Sequence, residues 1–279
     1  MLQTKRGRKT DAEQFSQFAP MLREMTEAEL AAEIAQPRQL LLHAFSAGAH
    51  HIEIAYFPED AALVHAQIAV VGLTPGRQQW RNALVEVRRC LRSGKSEAEA
   101  LASAKAYAAF SGPMRVNLVA MLDYIGINGL LGLPSAASLW EGDGHLVYFT
   151  SALRFPVFVD GKNYSGAPSM FTTPMLREQL LTGFATEAAT IPKAIFVPLG
   201  PTVGQALQFV AEASMIDQNR VLVGLPHPSG ANAERIAFFL GRKPRELLSR
   251  KVDPERLVRA RATLEARVAE LQRDSCSGG

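Results

Sequence analysis

Two short stretches of this sequence hold groups that could do chemistry on a polar substrate. "VVGLTPG", Val70 to Gly76, is an apolar run that ends in bare backbone with one hydroxyl, Thr74. "GLPHPSG", Gly224 to Gly230, has the same form and carries His227 between two prolines. An imidazole held rigidly after a buried run is a proton donor or acceptor near neutral pH. The Ser229 hydroxyl and the bare N–H of Gly230 suit a phosphate, a contact that positions nucleic acid without reading its sequence. Pro75 and Gly76 offer the same on the other side, helped by a helix beginning at Arg77, because a helix N-terminus attracts anions. The two stretches are expected to face each other across one pocket.

The elements that must position them are legible as period changes. "QIAVVG" (67–72), "HLVYFT" (145–150), "KAIFVP" (193–198) and "RVLVGLP" (220–226) are short apolar runs with little alternation, as strands buried on both faces of a parallel sheet should be. Helix-periodic stretches separate them: Arg77 to Leu91, with Trp80, Ala83, Leu84, Val87 and Leu91 at helical spacing, then 115–127 and 202–213, and a short one at 135–140. Alternating strands and helices imply βαβ crossovers. The expected fold is a three-layer α/β/α sandwich around a central four-stranded parallel sheet, with ligands outside the carboxyl ends of the strands. Residues 1–36 read as a polar, flexible start leading into a helix, 37–250 as the α/β domain, and 251–279 as an amphipathic C-terminal helix and tail that packs on the body.

Composition narrows the function classes. The 279 residues are 47% hydrophobic, enough for a sizeable core, and the formal charge of +3 is unevenly placed. "TKRGRK" (4–9) is basic, and residues 242–261 set eight Lys or Arg against three Asp or Glu, a net +5. Clustered cations suit a polyanionic partner. Cys90 and Cys276 alone cannot build a disulfide framework or a four-cysteine metal site, which fits a reducing, cytoplasmic setting. No secretory h-region and no run approaching a membrane span is present, so no membrane partner is expected.

Five motifs in order resemble the uracil-DNA glycosylase superfamily: "GLTPG" after the first strand, "FSGPMRVNLVAMLDYIGI" (110–127), "TSALRFP" (150–156), "LGPTVGQAL" (199–207) and "HPSGAN" (227–232). In its thermophile-type bacterial branch the series runs GEAPG, PFVG with an amphipathic helix, TN with a nearby Pro, LG with a helix, and HPS. The resemblance covers roughly Ile54 to Leu240.

The resemblance implies a monofunctional DNA glycosylase that flips a damaged or modified base out of single- or double-stranded DNA and leaves an abasic site, in repair or in defence against foreign modified DNA. It implies no metal, no organic cofactor and no obligate protein partner. His227 would stabilise the departing base, and Thr74 would stand where the attacking water sits. The base pocket would be lined by Phe110, Ser151, Gly72, Leu73, Arg154 and Asn163. The DNA backbone would meet Pro75, Gly76, Arg77, Ser229, Gly230 and Asn232.

Departures from the family bear on substrate. Thr74 replaces the Asp or Asn of uracil-specific members, Ser151 replaces the asparagine that reads uracil, Ala231 replaces a bulky wedge, and the iron–sulfur cysteines are absent. A base other than uracil is therefore expected, such as a modified cytosine or another bulky base. A non-catalytic nucleic-acid-binding protein with the same fold is the alternative. A Rossmann-type enzyme is poorer, since the first turn lacks G-x-G-x-x-G.

Overall fold

A chain that alternates apolar and amphipathic runs must bury one against the other, and here it does so twice. The computed structural model describes residues 11–58, 65–110 and 112–277; the basic stretch 4–9 and the Cys276 side chain lie outside what is described. The chain divides into two compact units: Met1–Ala61, Pro75–Ala109 and Phe155–Tyr164 form the first, and Ala62–Thr74, Phe110–Arg154 and Ser165–Gly279 form the second.

In chain order, the first unit begins with α1 (Asp11–Glu24), α2 (Glu27–Ala35), β1 (Leu41–Ala47) and β2 (His50–Ala55). The chain crosses to the second for β3 (Ile68–Gly72) and returns for α3 (Arg77–Arg92) and α4 (Glu97–Ala108). It crosses again for α5 (Pro113–Tyr124), α6 (Ile127–Leu130) and β4 (Val147–Ser151), then adds β5 (Val157–Val159) and β6 (Lys162–Asn163) to the first unit. The second unit takes the remainder: α7 (Pro174–Glu178), α8 (Ala185–Ala188), β7 (Ile195–Pro198), α9 (Pro201–Glu212), α10 (Ala233–Phe239) and α11 (Pro254–Ser277).

The first unit is an antiparallel sheet, ordered β1-β2-β5-β6, with four helices. Its core holds Trp80, Leu84 and Val87 from α3 with Phe15, Leu22 and Phe158. The Trp80 indole N–H donates to the Tyr56 carbonyl at 2.8 Å. Helix C-termini leave carbonyls without partners, and the arginines of α3 supply them. Arg88 and Arg92 donate to the Met25 carbonyl just past α1, at 2.6 and 2.9 Å. Arg77 donates to the carbonyls of Ile34 and Ala35 at the end of α2. The buried Glu33 accepts from the backbone N–H groups of Arg38 (2.8 Å) and Leu40 (2.7 Å), fixing the turn into β1.

The second unit is built on a three-stranded parallel sheet, ordered β4-β3-β7, in which every residue of the central β3 is buried. That is why residues 68–72 show no alternation. The expected four-stranded parallel sheet is corrected to three strands. Residues 220–226 run beside β7 with a single parallel bridge, Phe196 to Val221, and two flanking bonds, Leu222 N–H to Phe196 O (2.8 Å) and Gly200 N–H to Leu225 O (3.0 Å). Gly224 sits at φ +138°, and a Cβ there would stand 3.1 Å from Ala260 Cβ of α11. Pro226 then lacks an N–H, so a regular ladder cannot form. The molecule is thus mixed α/β with two sheets, one antiparallel and one parallel. Leu264 and Val268 bury the apolar face of α11, Val268 lying against Gly126. Among the described residues, no helix is long and apolar enough to cross a membrane.

Candidate functional site

Parallel strands all present their carboxyl ends at one edge, so the second unit gathers whatever follows β3, β4 and β7 there. Gly72 pairs with Ser151, and Val71 pairs with Pro198. The ladder continues outward through Ala152 N–H to Gly72 O, Leu153 N–H to Leu73 O and Leu199 N–H to Val71 O, each 2.9 Å. Gly72, Leu73, Thr74 and Ser151 therefore stand together at this edge.

Phe110 joins them from a distant part of the chain. A Cβ at Gly72 would lie 3.4 Å from Ser151 Oγ and 3.7 Å from Phe110 Cζ, so the absence of a side chain lets both approach the β3 backbone. Phe110 holds φ at +44°, a conformation that costs a bulky residue energy and recurs at functional sites. Its ring meets Phe149 edge-on at 5.7 Å, and Phe149 in turn lies 4.5 Å from Trp140. Thr74 is half-buried, with a polar partner. The neighbouring Thr150 Oγ1 is buried with no hydrogen-bond partner among the described residues.

His227 reaches the same edge beyond β7. Gly200, directly after β7, has φ +90°, and a Cβ there would sit 3.3 Å from His227 Cβ. Only glycine permits this approach. Buried Pro226 and Pro228 flank the histidine, and Asn117 of α5 donates from Nδ2 to the Pro228 carbonyl at 2.9 Å. The Ser229 backbone N–H donates to His227 Nδ1 at 3.3 Å. A nitrogen that accepts carries no proton, so the proton of the neutral ring is on Nε2. Burial pushes the His227 pKa below its ordinary value, which keeps the ring neutral at pH 7. The result is a rigid, uncharged Nε2–H donor. β7 stands between β3 and the 221–226 segment, so these two run two strand spacings apart, roughly 10 Å.

The loop after His227 is internally braced. Asn232 Nδ2 donates to Ser229 Oγ at 3.3 Å, and Arg235 donates to Asn232 Oδ1 at 3.1 Å. Asn232, expected at the DNA backbone, thereby braces Ser229. Gly230 is exposed, with open space around it.

Four expected residues belong to the other unit, and a fifth is held in an ion pair. Pro75, Gly76, Arg77 and Asn163 belong to the first unit. There the Arg77 backbone N–H donates to Asn163 Oδ1 at 3.0 Å, so the start of α3 already has its capping oxygen. The Arg77 guanidinium is committed to the α2 carbonyls and to Gly161 O (2.9 Å), and lies 4.0 Å from the Phe158 ring centre. The Arg77 guanidinium, expected at a DNA phosphate, thus has its partners within the first unit. Arg154, expected in the base pocket, is 12% exposed and pairs with Glu187 at 2.6 Å. Tyr148 OH donates to the same Glu187 at 2.6 Å.

Sequence reasoning passed over Gly200, Asn117 and Arg235. The only signal for Gly200 was the LG after the third apolar run, and for Asn117 a polar residue within the periodic 115–127 stretch. Among the described residues, no three His, Cys, Asp or Glu side chains gather to hold a metal.

No protein-family model matches the chain, and no solved structure matches it. The chain is 32% identical over 189 residues to the "Uncharacterized protein YoxB" of Bacillus subtilis (strain 168), an overlap covering 67% of this chain and 73% of that protein. With so much of both chains aligned, this protein belongs to the family of that Bacillus protein.

Proposed function

We propose that the protein is a DNA glycosylase that hydrolyses the N-glycosidic bond of a flipped-out damaged or modified base and leaves an abasic site. The observation that carries this reading is the Ser229 N–H bond to His227 Nδ1, which holds a neutral Nε2–H donor at the strand-end edge. Breaking the C–N bond sends its electron pair onto the base. A preorganised donor in a water-poor site stabilises that charge, and a neutral ring avoids the cost of burying a cation. Phe110, Ser151 and Gly72 line the place for the extruded base. Water near Thr74 bonds to the sugar carbon that lost the base, and its proton ends on the departed base. Ser229, braced by Asn232, and the open Gly230 N–H take the adjacent phosphate.

The single hydroxyl of Ser151 forgoes the bidentate amide contact that discriminates bases by about 1–3 kcal/mol. A larger or modified base than uracil fits that smaller reader. The exposed Ala231 offers no wedge, so the substrate is single-stranded or weakly paired DNA.

DNA carrying uracil or one of several modified bases is incubated with the protein; abasic sites are read by alkaline cleavage and free bases by mass spectrometry. Base release that falls about 10²- to 10³-fold in His227→Ala supports the reading. Thr74 and Ser151, hydroxyls where the glycosylases carry a carboxylate or amides, favour a second reading, a nucleic-acid-binding protein without catalysis. Tight binding without release from any of these DNAs supports that second reading.

A further inference from the structure

The basic segment after α10 has a place in the fold that its composition alone did not reveal. Glu234, in the first turn of α10, accepts from Ser249 N–H at 2.9 Å and from Ser249 Oγ at 2.5 Å. Arg235 bonds Asn232 Oδ1 with one nitrogen and the Lys251 carbonyl with another, at 3.1 and 2.7 Å. Three hydrogen bonds thus lead from Ser229 Oγ through Asn232 and Arg235 to the backbone of Lys251. The 249–251 turn is thereby fixed beside the HPSGAN loop.

Some of its cations are paired and two are not. The Glu234 carboxylate is taken by Lys243 at 2.8 Å; that ammonium first, and the Ser249 donors after it, hold its pKa down to about 2. Arg245 pairs with Glu255. Arg250 and Lys251 are exposed, and neither side chain has an ion pair or hydrogen bond among the described residues. Two bare cations held by a built bond network next to a hydroxyl-and-glycine loop are the arrangement a sugar–phosphate chain neutralises.

The geometry points to Arg250 and Lys251 as a second backbone clamp, which grips the phosphates of a DNA strand next to the one held by Ser229 and Gly230. It rests on the nucleic-acid reading of the HPSGAN loop and extends it with a contact made outside that loop. The clamp holds sequence-independently, and it lets a strand be retained although Ala231 supplies no wedge.

The test measures binding of fluorescently labelled single-stranded and duplex DNA by anisotropy from about 50 to 200 mM salt. The Arg250→Gln, Lys251→Gln double variant keeps the Lys251 carbonyl bond, and its unchanged melting temperature confirms an intact fold. Each lost phosphate contact lowers the steepness of log affinity against log salt by about 0.9 on duplex or about 0.7 on single strands. The variant is therefore expected to lose about 1.8 or about 1.4. Lys193→Gln, just before β7 and so at the opposite end of the sheet, leaves the slope unchanged. If the unaltered protein binds DNA with steep salt dependence and the double variant matches it, the clamp is refuted while the loop reading stands. If the unaltered protein shows no salt-dependent binding to either DNA, both fall.

Discussion

Replacing Gly200 by alanine probes how His227 is placed, whatever the substrate is. Gly200 has φ +90° and ψ 166°, a region that is essentially glycine-only. An L-residue there costs about 1–3 kcal/mol. The new Cβ would also stand 3.3 Å from His227 Cβ and 3.7 Å from its backbone nitrogen, closer than the ~3.5–4.0 Å optimum for carbon pairs. The histidine loop must yield by a few tenths of an ångström, because Pro226 and Pro228 leave it little rotational freedom. A chain of this size loses about 2–4 °C of Tm per kcal/mol, so Tm is expected to fall by about 2–12 °C. The shift also lengthens the Ser229 N–H bond to Nδ1, which is visible as a change in the His227 ring signals in nitrogen-15 NMR. Base release, where the substrate is in hand, falls about tenfold or more, since small misplacements of a positioned group are costly. A Gly200→Ala protein with unchanged Tm and unchanged His227 resonances would show that the close approach holds nothing in place.

Burial lowers the folded His227 pKa from 6.5, so between those two values the unfolded chain binds the extra proton. This group's contribution to stability is complete above pH ~6.5 and is lost as pH falls through the lowered value; His227→Gln removes that component, measured as the difference between the two proteins' stability–pH curves. Arg154→Met leaves the Glu187 carboxylate half-buried without its cation and is expected to cost about 3 kcal/mol by urea denaturation. An unchanged midpoint would show that the ion pair contributes nothing to stability. Thr150→Val removes a buried hydroxyl that has no partner among the described residues and should stabilise by about 1 kcal/mol; destabilisation would mean that the hydroxyl is bonded in solution.

Part of each unit could be seen in the chain itself. The uninterrupted apolar run 68–72 is what a central parallel strand requires, and the α3 face of Trp80, Leu84 and Val87 follows helical spacing. The antiparallel sheet was hidden for physical reasons. Its hairpin carries exposed His43, His50 and His51, while β5 and β6 are only three and two residues long, too short for a period. Residues 221–223 have strand composition, but packing of Gly224 against α11 overrides it. The candidate site was half legible. His227 between prolines announced a rigid donor, whereas its tautomer depends on the single N–H of Ser229, which no composition reveals. Arg77 and Arg154 carried the charge expected of a phosphate contact and of a base-pocket residue, yet their partners, the α2 carbonyls and Glu187, lie far along the chain.

The interleaving of the two units has a consequence for how this protein is made. The chain changes unit after Ala61, Thr74, Ala109, Arg154 and Tyr164, so neither unit exists as one uninterrupted stretch that a gene fragment could encode. On the ribosome β3 emerges roughly 120 residues before its neighbour β7, and at ~5–20 residues per second it waits on the order of ten seconds for that edge to be covered. Until then an all-apolar strand stands open to the wrong partner. Slower synthesis prolongs that exposure, so yield from cells should depend on helper proteins that shield nascent chains more than on the stability of the finished molecule.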